Sequence, residues 1–343
     1  MTNMLTYLAT YGTKTFADQP LTVVDAAILA QLAYCDFARK STGRLGALTA
    51  ADCQQMMAHT WQEQANQALL HQLATSVRYR TVRWLCPVDR RDADRQQEFS
   101  AVTWQLDANT YYLAFRGTRA DFVDWKEDFN MTFLDTIPSQ HAALAYLQGI
   151  AAKYPGHYYL GGHSKGGNLA TYAFSRTGRL QAQVKMVYNL DGPGLKRPLP
   201  PNPKVLKLVP QNSVIGMMLD NGQDFGVVHS TASGFRQHDL FTWEVRDHNF
   251  VYLDATDRRS QYLQRLLTQW TQTVPDATKQ QALDAAYALI ASTQQATFAE
   301  LAANPAQTTK TILAGLHHSD PEDRQAWRAV LDGFAHAAFR NNN

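Results

Sequence analysis

The spacing of hydrophobic residues changes twice along the chain. In "QPLTVVDAAILAQLAYCDF" (residues 19–37), Val24, Ile28, Leu32 and Phe37 recur at near-helical spacing. Thr22 stands just ahead of them with Asp25 three residues on, the arrangement of an N-cap that satisfies the first free amides of a helix. A second, more polar helix is expected over residues 50–73. The texture then turns β-rich in "SVRYRTVRWL" (76–85), "FSAVTWQL" (99–106) and "TYYLAF" (110–115). "LDAN" (106–109) carries turn chemistry between the last two, which therefore read as a hairpin. Residues 140–153 are helical in pattern and stop where Pro155 and Gly156 break them. "YYLGG" (158–162) reads as a strand, followed by a helix over 166–176. "VKMVYNL" (184–190) and "VLKLV" (205–209) are short apolar runs bounded by Pro and Gly, as strands buried on both faces tend to be. "LFTWEV" (240–245) is expected as the last strand. Strands alternating with helices imply an α/β fold with a mainly parallel sheet flanked by helices.

After Ala255 the strand signals stop. Tyr262, Leu263, Leu266, Leu267 and Trp270 form one helical stripe, and Leu283, Tyr287 and Ile290 another. Asp320 with Pro321 behind it opens a third helical pattern. The expected organisation is an α/β domain with a helical N-terminal segment over residues 1–255 and a helical C-terminal region over 256–343.

Composition narrows the function classes. The 343 residues are 45% hydrophobic and 18% charged, which suits a compact chain with a sizeable core. A formal net charge of +2 with basic residues spread along the chain is no nucleic-acid footprint. The mixed-sign run Asp89-Arg90-Arg91-Asp92 reads as a solvated loop. No basic region followed by an apolar core opens the chain, and no apolar run approaches the ~18 residues of a spanning helix. Cys35, Cys53 and Cys86 form no CxxC pair, so neither a zinc site nor a disulfide framework is expected. A cytoplasmic location is the simplest expectation.

The candidate chemistry lies at the seam between strand 158–162 and the helix after it. Gly162-His163-Ser164-Lys165-Gly166 is a G-x-S-x-G, and here a strand enters it and a helix leaves. Such a turn requires small residues on either side of the serine, lifts its hydroxyl above the sheet, and aims the Lys165 N–H at the place where an oxyanion would form. Outside that context the pentapeptide would be only a Gly-rich connection. A second oxyanion donor has to come from an earlier strand end. Strand 111–115 ends in Arg116-Gly117-Thr118, and Thr118 offers both a backbone N–H and a hydroxyl.

"AFRGT…DFVDWKEDF" followed by "GGHSKGGNLA" resembles the class 3 lipase family of α/β-hydrolases, in which a strand-FRG-[ST] turn with a downstream [DN]-W and Asp precedes GHSxGG. "DQPLTVVDAAILAQLAYCDF", "NLDGPGL", "KLVPQNSVIGMML" and "QHDLFTWEV" look more specifically like a bacterial branch of lipase-like proteins of unassigned function. The resemblance covers about residues 1–250. It implies that Ser164 is the nucleophile, that Thr118 and the Lys165 N–H are the oxyanion donors, and that Asp124 and Trp125 are the [DN]-W pair that shapes the hole.

A serine hydroxyl needs a base to take its proton, and the chain order in this fold is serine, acid, histidine. His229, His238 and His248 follow Ser164. His238, in a loop entering the expected last strand, is the first choice, with His229 and His248 behind it. His163 adjoins the serine but is expected to point away from it. The acid is harder to place. By resemblance it belongs in the turn after strand 205–209, but that turn reads Gln211-Asn212-Ser213-Val214-Ile215-Gly216, with no carboxylate. Asp191, at the C-terminal end of strand 184–190, is the substitute, or else an Asx-turn residue of its Gly-Pro-Gly loop. Asp220 and Asp224 stay open, and Asp239 is expected to point away from its neighbour His238.

Two functions follow. The first is a serine esterase or lipase-like hydrolase acting on a small ester or lipid-like substrate through an acyl-enzyme, with no metal or organic cofactor required. The alternative is a hydrolase scaffold used for binding or regulation. The segment 122–138, rich in aromatics and charge, either walls the site or simply packs.

Overall fold

The computed structural model describes residues 2–57, 60, 62–92, 94–119, 127–128, 130–219 and 224–281. The chain starts with α1 (Met4–Tyr11) and α2 (Val23–Leu32). Thr22 caps α2 through a reciprocal pair with Asp25, as its spacing predicts. Next come β1 (Thr42–Arg44), α3 (Ala50–Gln55), α4 (Glu63–Thr75), β2 (Arg83–Asp92), β3 (Gln97–Gln105) and β4 (Thr110–Phe115). They are followed by α5 (Pro138–Lys153), β5 (His157–His163), α6 (Lys165–Arg176), β6 (Val184–Leu190), β7 (Val205–Pro210) and β8 (Gly226–Val228). The two-residue strands β9 (Val245–Arg246), β10 (Asn249–Phe250) and β11 (Tyr252–Leu253) lead into α7 (Arg258–Thr273).

Among the described residues one sheet runs in the order β1-β2-β3-β4-β5-β6-β7-β8-β11. Pairing is antiparallel from β1 to β4, parallel from β4 to β8, and antiparallel again at β11. Both faces are covered. Tyr112 and Ala114 point into a core shared with α1, α2 and α4, while Tyr111, Leu113 and Phe115 point into one shared with α5 and α6. Burial on both sides explains why the central strands read as unbroken apolar runs. Phe115 stands beside Gly162 and His163 beside Leu190, so the C-terminal ends of β4, β5 and β6 lie side by side.

Four local expectations are corrected. Residues 50–73 form two helices, not one, because Met56 caps α3 and Gln62 takes a left-handed φ of 59° before α4 starts. Residues 76–82 are turns, with Arg80 N–H donating to the Ser76 carbonyl at 3.0 Å. Here Asp25 draws Arg78 and Tyr79 inward: Arg78 Nε donates to it at 2.9 Å and Tyr79 hydroxyl at 2.5 Å. Asp89–Asp92 close strand β2 rather than forming a solvated loop, and Asp89 accepts from Arg116 and Arg119. Residues 240–242 are 3-10 helix instead of strand, because the Asp239 carboxylate caps Phe241 N–H at 3.0 Å.

α7 is tied to the sheet's connections at both ends: near its start Ser260 Oγ donates to the Ser213 carbonyl at 2.6 Å, and just past its end Lys196 Nζ meets Asp276 at 2.8 Å. The stripe at Leu283, Tyr287 and Ile290 and the pattern opened by Asp320 lie outside the described residues.

Candidate active site

Ser164 takes φ 57° and ψ −132° between β5 and α6, a strained conformation for a residue with a side chain. The close approach that forces it is visible at its flanks. A Cβ on Gly166 would sit 2.0 Å from the Phe115 carbonyl oxygen, and one on Gly162 would sit 2.4 Å from Gly166 carbonyl carbon. Only glycine fits at either position, so the G-x-S-x-G spacing follows from packing between β4, β5 and α6. The Ser164 carbonyl accepts from Gly167 N–H at 2.9 Å, and its own N–H donates to Leu190 at 2.9 Å.

The turn after β4 lies against it. A Cβ on Gly117 would meet the Ser164 Cβ at 3.0 Å. Thr118 follows, its hydroxyl donating to Asp128 Oδ2 at 2.5 Å. The opposite side is the turn after β6. Asp191, with φ 49° and 1% exposure, accepts at Oδ1 from Ser213 hydroxyl (2.5 Å) and Gly216 N–H (3.1 Å). Its Oδ2 lies 2.7 Å from His238 Nδ1. The turn 211–216, which holds no carboxylate, thus supplies two donors to a carboxylate from the neighbouring strand. A histidine bonded in this way keeps its proton on Nδ1 and leaves Nε2 as the acceptor.

His163, expected to point away from the serine, is bonded to the segment that carries His238. Its Nε2 donates to the His238 carbonyl at 2.7 Å, so its Nδ1 accepts from the Tyr34 hydroxyl at 3.0 Å. Burial, reinforced by the His238 ring at 4.3 Å, holds its pKa well below the ordinary imidazole value. A neutral imidazole therefore links the N-terminal segment to the backbone that carries His238.

The other described candidates make different contacts. His229 Nδ1 pairs with Glu244 at 2.6 Å, and His248 with Gln19 at 2.8 Å. Asp239 caps Phe241 N–H. Asp224 lines a cavity of about 520 Å³ with Phe174, Ser175 and Pro201, at the end of α6 remote from Ser164. Asp124, Trp125 and Asp220 lie outside the described residues. Of the segment 122–138, the described part packs: Met131, Phe133 and Ile137 are buried.

A buried charge cluster beneath the serine was not read from the sequence. Lys165 is 1% exposed, and its Nζ lies 3.2 Å from Glu127, 3.6 Å from Asp128 and 3.7 Å from Glu98. Arg116 pairs with Glu98 at 2.7 Å and with Asp89 at 3.1 Å. Burial disfavours the Lys165 ammonium, but Asp128, Glu127 and Glu98 together outweigh it and raise its pKa. Desolvation dominates at Asp128, whose pKa rises from 3.8 to about 6 against the pull of Lys165 and the Thr118 hydroxyl. A polar residue at the x position after the serine was the only available signal. Among the described residues no cluster of His, Cys, Asp and Glu is placed to hold a metal ion.

A parallel strand run flanked by helices, with a tight serine turn at its C-terminal edge, is the arrangement of an α/β-hydrolase fold. The Mbeg1-like family profile matches residues 73–288, and the chain belongs to that family. No curated protein matches the sequence. Among solved structures the chain is similar to a mutant form of MDLA from Penicillium cyclopium, at 11% identity and a TM-score of 0.40 over 68% of this chain and 86% of that one. It is also similar to lipase II from Rhizopus niveus (14% identity, TM-score 0.37, covering 61% and 80%). A third is the lipase from Rhizopus microsporus var. chinensis (15% identity, TM-score 0.37, covering 66% and 84%).

Proposed function

We propose that the protein is a serine hydrolase acting on a small ester or lipid-like acyl substrate. Ser164 attacks the acyl carbonyl while His238 takes its proton, and Asp191 holds the imidazole tautomer and offsets the charge that develops on it. The Thr118 N–H and the Lys165 N–H receive the oxyanion, the Thr118 hydroxyl being given to Asp128. The alkoxide leaves with the proton from His238. Water, activated by the same histidine, then releases the acid and restores the serine. Neither a metal nor an organic cofactor takes part. What supports this reading is the 2.7 Å pair of Asp191 and His238, with Asp191 directly after the strand that neighbours the one ending at the strained Ser164.

The same proposal places the catalytic unit within residues 1–255, with 256–343 as a helical addition, and the site of action in the cytoplasm. Free thiols at Cys35, Cys53 and Cys86 fit a reducing compartment, and no helix of the described residues is long and apolar enough to cross a membrane. Hydrolysis of p-nitrophenyl esters from acetyl to decanoyl tests the reading. Turnover lost in Ser164→Ala with the fold intact supports it. A parent indistinguishable from Ser164→Ala on every ester contradicts it.

A further inference from the structure

Lys165 is an unfavourable choice for its position. It is the first residue of α6, where the helix dipole repels a cation, and its side chain is buried. Three carboxylates compensate, from β3 and from the segment before α5. A small apolar residue would fill the same turn without needing any of them. The connection that sets this lysine apart runs through Asp128. One oxygen of that carboxylate faces Lys165 Nζ at 3.6 Å, while the other receives the Thr118 hydroxyl. Asp128 Oδ1 is buried with no hydrogen-bond donor on it, so the ammonium is its principal compensation.

Resting on the hydrolase reading above, we propose that the Lys165 side chain is a positioning residue that aligns the two oxyanion donors with each other. One donor is its own backbone N–H. The other, Thr118, is held by Asp128, and Asp128 is held by the Lys165 ammonium. The elbow and the turn after β4 are thereby fixed to one charge, which sets the gap between two donors that come from different strands. Arg116 serves the neighbouring half of the cluster, because it pairs with Glu98 and Asp89 and not with Asp128.

The test is the rate at which a fluorophosphonate labels Ser164 in the full chain, measured for Lys165→Met, Thr118→Val and the double variant. Loss of one oxyanion donor commonly costs about 10²–10³ in rate; both single variants keep their backbone N–H and only misplace it, so each is expected to slow labelling about tenfold. Because both act through one chain of contacts, the double variant should be no more than about threefold slower than the slower single. A plain structural role for the ion cluster predicts multiplied losses instead. Multiplied losses, or a Lys165→Met that labels as fast as the parent, would overturn the proposal. If Lys165→Met shows no melting transition, Asp128→Asn replaces it in the same cycle with the same two outcomes, since it cuts the chain at its middle link. A parent that does not label at all refutes the hydrolase reading, whereas a parent that labels with an additive cycle refutes this inference alone.

Discussion

The Asp128→Asn substitution yields the most quantitative prediction. Asp128 ionises with a pKa of 3.8 when solvated and about 6 in the folded protein, chiefly because it is desolvated. That rise corresponds to about 3 kcal/mol. Below about pH 3.8 the folded and unfolded chains both hold the proton. Between that value and about 6 the folded chain holds more of it, so stability falls as pH rises, and above about 6 the loss is complete. Asparagine keeps an acceptor for Thr118 and removes the titration. The difference in melting temperature between Asp128→Asn and the parent should therefore move in the variant's favour by several degrees between pH 4 and pH 8, the equivalent of about 2.5 kcal/mol. The same variant should label more slowly with a fluorophosphonate, a trade of stability for alignment at a working site. A difference in melting temperature that is the same at both pH values would refute the assignment of a raised Asp128 pKa. It would also refute the idea that this cluster costs the fold stability.

Three further outcomes are expected. Asp191→Asn should leave the melting transition in place but cut ester turnover by about 10³–10⁴, because the imidazole loses the acceptor that fixes its tautomer; turnover equal to the parent would remove Asp191 from the site. Asp25→Ala should destabilise the fold by about 3–5 kcal/mol in urea titration, since Arg78, whose side chain is fully buried beside it, loses its carboxylate; a loss below about 1 kcal/mol would show that Arg78 is held adequately by its bonds to the Lys14, Thr15, Gln19 and Pro20 carbonyls. Gly166→Ala should abolish labelling even where the protein stays folded, because its methyl would overlap the Phe115 carbonyl oxygen; labelling at the parent rate would mean the elbow is not close-packed against β4.

What the sequence disclosed was local. The hairpin at 106–109, the strands 110–115 and 184–190, the cap at Thr22 and the serine elbow all depend on neighbours a few residues apart, and the structure has each of them. The misread segment at 240–245 failed for a related reason. Leu240, Phe241, Trp243 and Val245 are all buried, and burial on nearly every position looks the same in a core strand as in a short tight turn. Pairings across long distances in sequence left no trace. Nothing near Asp25 announces Arg78, and nothing near Lys165 announces Glu98. The proposed acid was half legible: the empty turn at 211–216 pointed back to Asp191 and left Asp220 and Asp224 open, and the support that Ser213 and Gly216 give Asp191 is a contact across more than 20 residues that no local pattern announces.

The central claim is that the hydroxyl at position 164 is an activated nucleophile, and mass spectrometry of the fluorophosphonate-treated protein tests it most directly. The account predicts one phosphonyl adduct per chain, on the peptide carrying Ser164, absent in Ser164→Ala and strongly reduced in His238→Ala. A folded parent that takes up no adduct, or one that carries it on another residue, would contradict it.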